Sequence, residues 1–452
     1  MSRKMVLMKD LIQEITMGPF GSDIKVDNFI ADGVPVLNGS NVTGVKLTEE
    51  SFKYVSEAKA KSLKKANTKR GDIVITHRGT LGQISYIPEN SKFDNYIISQ
   101  SQFRVTLKRN LVDPIFFTYY FHSSEGQKRL LSFKNHVGVP ALAQATTNFR
   151  LLEFPYKPIE EQKKIAKVLS DLDAKIELNI KINQELEAMA KLLYDYWFVQ
   201  FDFPNEQGKP YKSSGGKMVY DKKLNREIPE GWEVKKLKHY LKHNYNSISK
   251  SNNYNQIKYL DTSSLTQNYI SSLQNLNCET DKIPSRAQRI VTKNDILYST
   301  VRPNQCHYGI IKEPNENMIA STGFAQLSSK EQGLSNDLIY TFITSYWVTK
   351  RLQKIAELSV SAYPSISPTD ILELRIALPK DKSINLLKSI NKQLDNSYNL
   401  INYNQKQNQQ LTKLRDWLLP MLMNGQVTVG AAEEKLNMAA EPSGEYKIKG
   451  NE

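Results

Sequence analysis

Cysteine is nearly absent: Cys278 and Cys306 are the only two in 452 residues. Two thiols at that spacing build neither a disulfide framework nor a zinc site. Long apolar runs are missing as well. No stretch of 18 hydrophobic residues occurs, which excludes a membrane-spanning helix. Lys4 and Lys9 interrupt the N-terminal segment, so it does not read as a signal peptide. The expected location is the cytoplasm. The short motifs of catalysis are lacking too. There is no HExxH, and Ser213 to Lys217 matches a phosphate loop in composition only. No Asn/Asp-Pro-Pro-aromatic segment of an amino-methyltransferase is present. His239 and His243 stand four apart, the spacing of one helix face, but no third metal ligand is close in sequence. No catalytic, cofactor-binding or metal-binding residue is therefore expected.

Positive charge is present, and unevenly placed within a net +14. Residues 1–157 hold 22 Lys and Arg against 14 Asp and Glu, a net +8. Residues 228–378 hold 17 against 13, a net +4, and 379–425 carry another +4. Residues 158–203 are net −3. Basic blocks of this kind suit a polyanion, because Lys and Arg release counterions from phosphates. A basic protein without a nucleic-acid role has the same composition, so charge alone does not decide.

The chain also repeats itself. Arg70-Gly71-Asp72-Ile73-Val74-Ile75-Thr76 aligns with Lys293-Asn294-Asp295-Ile296-Leu297-Tyr298-Ser299 at an offset of 223. Each reads as a turn followed by a strand. Leu111 to Tyr119 aligns with Leu334 to Phe342 at the same offset, and both read as capped, aromatic-rich helix starts. A proline-bearing segment then leads into a long helical stretch in each half.

Both stretches carry a heptad seam. In the first it runs through Ile165, Leu169, Leu172, Ile176, Asn179, Asn183, Leu186, Ala190, Leu193 and Trp197. In the second it runs through Ile390, Leu394, Ser397, Ile401, Asn404, Asn408, Leu411, Arg415 and Leu418. At an offset of 225 the seams match, including the paired asparagines; an offset of 222 instead aligns Asp173 with Asp395, so two registers stand. A seam Asn fixes register at some cost in stability, and Asn179 and Asn183 are expected to meet Asn404 and Asn408 in an antiparallel pair. A helix from Ile159 to Val199 would be roughly 60 Å long at 1.5 Å per residue. That suits a spacer.

The expected organisation is two α/β (α+β) domains related by the internal repeat, with two long antiparallel coiled-coil helices between them. The bounds are a first domain over 1–157, a first helix over 158–203, a linker over 204–227, a second domain over 228–378 and a second helix over 379–425. A loosely ordered tail follows over 426–452.

These residues closely resemble the specificity subunits of type I restriction-modification systems over essentially the whole chain. The strongest match is Lys157-Pro158-Ile159-Glu160-Glu161-Gln162-Lys163-Lys164-Ile165-Ala166, followed by Leu169-Ser170-Asp171-Leu172-Asp173 and Tyr196-Trp197-Phe198. The run Gly208 to Met218 and Pro229-Glu230-Gly231-Trp232 are also similar to the family. So are Gly18-Pro19-Phe20-Gly21-Ser22 and Arg78-Gly79-Thr80-Leu81-Gly82 in the first domain. In the second domain the resemblance rests on Tyr298 to Pro303, Ser321-Thr322-Gly323-Phe324 and Ser361-Ala362-Tyr363-Pro364. The second half departs from the pattern where Pro379-Lys380-Asp381-Lys382 replaces proline–Glu–Glu–Gln. The resemblance implies a non-catalytic reader of double-stranded DNA whose two domains each take half of a split site. It implies two methyltransferase subunits as partners, carrying S-adenosylmethionine, and restriction/translocase subunits besides.

Base reading needs polar side chains at base edges, with Lys, Arg and backbone N–H groups on phosphates. The candidates in the first domain are Gly18, Phe20, Gly21, Ser22, Arg78, Gly79, Thr80, Gln100, Gln102, Lys134, Asn135 and His136. In the second they are Ser299, Thr300, Arg302, Asn304, Gln305, Thr322 and Tyr363. Each has a plainer reading as a turn, core or solvated residue. The rival functions are a stand-alone DNA binder, a fused enzyme and a coiled-coil adaptor.

Overall fold

The computed structural model describes residues 4–135, 139–249, 254–359, 363–381 and 385–440. The chain divides into two compact units. One comprises Met1–Ile176 with Gln409–Glu452, the other Glu177–Asn408. The expected boundaries set the long helices apart, whereas here each unit takes a part of both. The reason is burial: Ile165, Leu169, Leu172, Leu411 and Leu418 belong to the first unit's core, and Ile390, Leu394 and Ile401 to the second's.

The repeat is visible strand by strand. The first unit has a four-stranded antiparallel sheet in the order Ile12–Met17, Gln102–Leu107, Ile73–Thr76, Ile84–Tyr86. The second has the same order in Leu241–His243, Phe324–Ser329, Asp295–Ser299, Tyr308–Ile311. Every residue of Ile73–Thr76 is buried. Its apolar run is what a central strand covered on both faces requires. A second sheet in each unit contains one parallel pair, with Val36 opposite Ile97 in one and Tyr259 opposite Ile319 in the other. Met5–Leu7 pairs with Glu153–Pro155, and Trp232–Lys236 with Arg375–Pro379, so each domain is closed by its own first and last strands.

The capped helix starts form as their residues dictate. Asp113 Oδ1 accepts from the amides of Ile115 and Phe116, with Pro114 at the first helical position. Ser335 Oγ accepts from the Leu338 amide. These side chains satisfy helix-end donors that no backbone carbonyl can reach.

The first long helix is Ile159–Tyr194, continued by a π-turn over Asp195–Val199; the second is Asn385–Asn424. Pro420 stands inside the second. That helix ends at Gly425, whose φ of +70° suits a residue without Cβ. Gln162 is fully buried. Its side chain accepts from the Asp113 amide at 2.9 Å and donates to the carbonyls of Leu111 and Lys157. In the second unit, where the entry motif is missing, Asn391 donates to the Gly333 carbonyl and accepts from Ser335 Oγ.

Three expectations are corrected. The segment expected as a linker carries a hairpin, Met218–Asp221 with Arg226–Pro229. It is held to the second unit by the stack of Phe203 on Tyr211 and on Trp232, and by Asp202 accepting from Ser213. The tail expected to be loosely ordered forms a helix over Val429–Ala440, because Ala432 is buried in the first unit's core. His239 and His243 share no helix face: one ends a 3₁₀ turn and the other a strand. Among the described residues no helix is long and apolar enough to cross a membrane, and no cluster of three His, Cys, Asp or Glu side chains could hold a metal.

Candidate functional site

The antiparallel sheet brings three chain segments of the first unit to one edge. Strand Ile12–Met17 ends there, Ile73–Thr76 ends there, and Gln102–Leu107 begins there. The Gly18 amide donates to the Gln102 carbonyl at 2.9 Å. A Cβ on Gly18 would stand 1.9 Å from the Ser99 carbonyl oxygen, so only glycine allows this approach. Phe20, Gly21 and Ser22 are exposed in the following turn, where the Phe20 amide donates to Asp23. Gln100 lies beside Gly21, and its carbonyl accepts from His77 Nε2 at 3.2 Å. Burial lowers the His77 pKa below its ordinary value, with Arg78 adding to the effect. The ring is neutral near pH 7. Nothing in the sequence singled out His77.

Arg78, Gly79 and Thr80 follow, all exposed. Gly79 holds φ +86° and donates its amide to the Pro140 carbonyl at 3.0 Å. Strand Lys134–Asn135 pairs with Ala141–Leu142, and Arg78 bridges to Ala141. Arg78, His77, Asn135 and Gln144 thus line one open concavity. Among the described residues Arg78 has no ion-pair partner. His136 lies outside the described residues.

The second unit uses the same edge of its matching sheet. Asp295–Ser299 ends there, and the Thr300 amide donates to the Gly323 carbonyl at 2.9 Å. Arg302 holds φ +48° and donates its amide to the Pro364 carbonyl at 2.9 Å. Val301 bridges to Ser365 as Arg78 does to Ala141. The structural counterpart of Gly79 is therefore Arg302, and that of Arg78 is Val301. The Arg302 guanidinium lies 5.2 Å from the centre of the exposed Tyr363 ring. Asn304 and Gln305 are exposed in a 3₁₀ turn between left-handed Arg302 and left-handed Cys306. The Asn304 amide is held by Gln353 Oε1 at 3.1 Å. Thr322 is half-buried at the mouth of the paired strand, its amide bonded to the Arg286 carbonyl.

Three candidates are removed by their surroundings. Gln102 is fully buried; its amide donates to the Asn38 carbonyl and accepts from the Ser99 amide. Ser299 is buried, with its hydroxyl bonded to Val301 on both sides. Thr300 is half-buried and its hydroxyl donates to the Gly323 carbonyl. Gln102 and Ser299 position the loops from inside, and the Thr300 hydroxyl is spent as a donor on the loop itself.

The helix asparagines come together within the second unit. Asn179 Nδ2 donates to Asn408 Oδ1 and to Gln407 Oε1, both at 2.8 Å, and Asn404 Nδ2 donates to Asn183 Oδ1 at 2.8 Å. The pairs advance in opposite directions, so the helices are antiparallel there. In the first unit Arg415 is ion-paired with Asp173 at 2.7 Å, and Asp173 also accepts from Tyr119.

Residues 24–188 match the family model for the type I restriction modification DNA specificity domain. The MjaIX specificity subunit of a type I restriction enzyme from Methanocaldococcus jannaschii is 26% identical over 407 residues, covering 86% of each chain. The HindI specificity subunit from Haemophilus influenzae is 22% identical, covering 79% of this chain and 87% of its own. A crystal structure of a type I restriction-modification S subunit from M. genitalium superposes with a TM-score of 0.57 at 16% identity, over 93% of this chain and 96% of that one.

Proposed function

We propose that the chain is a specificity subunit of a type I restriction-modification system, the family to which residues 24–188 and the relatives above are similar, and that it reads a bipartite site in double-stranded DNA. Recognition is assigned to residues 1–157 for one half-site and 228–378 for the other. The paired helices over 158–203 and 379–425 set the spacing and dock two modification subunits and the restriction subunits. Adenine methylation, with the base taken out of the stack, and its S-adenosylmethionine belong to those partners. This chain contributes address and geometry, and no catalysis.

One observation carries the reading. Each unit presents, at the same edge of the same sheet, a left-handed turn tied to a proline carbonyl and an exposed arginine in or beside it: Arg78 before Gly79, and Arg302 itself. An arginine so held can take a guanine edge through two hydrogen bonds. Arg78→Ala and Arg302→Ala are each expected to relax specificity at one half-site, by about 1–3 kcal/mol for a bidentate contact. The check is the set of methylated sites in a host carrying each variant with its modification subunit. Unchanged motifs in both variants would overturn the assignment. Loss of co-purification of the wild-type chain with a modification subunit would favour a stand-alone binder.

A further inference from the structure

We propose that Gln144 reads a base edge beside Arg78 and sets part of the sequence preference of the first unit. The inference rests on the DNA-reading function proposed above and names a residue that neither the repeat nor the family signature had marked.

Gln144 occupies the cap position of helix Ala145–Leu151. Ser, Thr, Asp or Asn there would satisfy the free amides of the first turn, a task for which Gln is poorly shaped. Its side chain makes no capping hydrogen bond. Its backbone sits at φ 44°, ψ 49°, the left-handed region that a residue with Cβ avoids. The corresponding helix of the second unit, Pro368–Leu372, shows what the fold prefers. It opens on Ser367 at φ −92°, with a reciprocal capping box to Asp370. The first unit thus forgoes both the cap and the relaxed backbone at this one position. A local rule broken without a structural gain marks a functional position.

The surroundings say which function. Gln144 is exposed and lines the concavity that holds Arg78, His77 and Asn135, with exposed Met17 and Val139 at its apolar side. A neutral amide adds little to phosphate binding. It offers a donor and an acceptor side by side, the complement of the adenine major-groove edge, as the arginine fork complements guanine. Met17 and Val139 supply apolar contact suited to a thymine methyl group.

The test uses the full chain with its modification subunit, and host genomic DNA as the probe. Gln144→Ser restores the residue type found at Ser367. The expected result is an unfolding temperature equal to or above wild type. Discrimination at one position of the first unit's half-site should fall by on the order of ten- to a hundredfold, with the other half-site unchanged. Gln144→Glu keeps the shape but removes the donor, and is expected to shift preference from adenine towards cytosine. An unchanged methylation motif in both variants overturns the inference, as does a lowered unfolding temperature for Gln144→Ser, which would make Gln144 a structural cap. Arg78→Ala run in parallel separates the two readings. If it relaxes the half-site while the Gln144 variants do not, only the Gln144 assignment fails; if it too leaves the motif intact, DNA reading by this edge fails.

Discussion

Gly79 holds φ +86° and Arg302 φ +48°, and each donates its amide to a proline carbonyl. A Cβ on Gly79 would meet nothing within 4 Å, so the turn itself sets the preference for glycine. The left-handed region costs a residue with Cβ roughly 1–2 kcal/mol. Arg302 bears that strain and Gly79 does not. Arg302→Gly is therefore expected to leave stability unchanged or raise it by up to about 1 kcal/mol, after the extra chain entropy of glycine is subtracted, while specificity at its half-site relaxes as in Arg302→Ala. Gly79→Ala should lower stability by about 1 kcal/mol. Urea unfolding of the three proteins checks both signs. A second residue sets a pH limit. His122 is half-buried, its Nε2 donating to the Ile84 carbonyl at 2.8 Å, and burial lowers its pKa below the ordinary 6.5. Its folded value lies under the unfolded one, so its contribution is fully present above pH 6.5 and is lost as pH falls through the folded value. Hydrogen-exchange protection factors in the Ile73–Thr76 and Ile84–Tyr86 strands should fall relative to pH 7 as the solution is acidified below 6.5. His122→Gln, which keeps a donor for Ile84, should flatten that dependence. At this scale the sequence was a partial guide. Arg78, Arg302 and Tyr363 are exposed, whereas Gln102 and Ser299 are buried. A polar residue in a short strand looks the same in sequence whether its amide faces solvent or a neighbouring carbonyl.

The long helices were the most legible elements, because apolar residues at steps of three and four admit few other structures. The seam pattern also placed Asn179, Asn183, Asn404 and Asn408 on one face, but not Gln407, which shares the Asn179 amide. Asn179 and Asn404 are buried, so removing one partner leaves the other unsatisfied at a cost of about 1–3 kcal/mol. Asn179→Leu should be destabilising by that amount. Adding Asn408→Leu should recover part of the loss, since it removes one of the two acceptors that Asn179→Leu orphans and leaves only Gln407. A double-mutant cycle in urea measures the coupling, and additive losses would show that the pair is not coupled. The buried Lys312 behaves differently. Its Nζ bonds Asp337 at 2.9 Å and Asp395 at 2.8 Å, and burial raises the Asp337 pKa against the lowering effect of Lys312. Lys312→Met leaves Asp337 buried beside no cation and should cost about 3–5 kcal/mol, again read by urea unfolding. The hairpin at 218–229 and the helix at 429–440 were not legible. Their stretches are rich in Gly, Ser and Lys or in Ala and Glu, and what folds them is packing against apolar residues outside the stretch itself: Trp232 and Phe203 for one, the core around Leu418 and Leu422 for the other.

For the molecule as a whole, the offset of 223 residues forecast two copies of one plan; the four-stranded antiparallel sheet recurs with the same strand order, and the second sheet recurs with one extra edge strand in the first unit. The helices have no core of their own and are divided between those of the two units. Each unit therefore keeps its own core and its own basic edge within a net charge of +14. That independence predicts how binding responds to salt. Each phosphate neutralised contributes about −0.9 to the slope of log affinity against log salt. Arg78 and Arg302 lie on different units and share no partner, so their effects should add. Titration of the assembled complex with duplex DNA carrying its methylation site, at several salt concentrations, checks this. If both arginines read bases, Arg78→Ala and Arg302→Ala each weaken specific binding with little change of slope, and non-specific binding is nearly untouched. Lys134→Ala, which removes an exposed cation from the strand beside the Arg78 concavity, should instead reduce the slope by about 1 on every sequence. An equal loss of slope for all three variants would make the two arginines phosphate contacts, and the sequence preference of each unit would then have to come from the neutral side chains at the same edge.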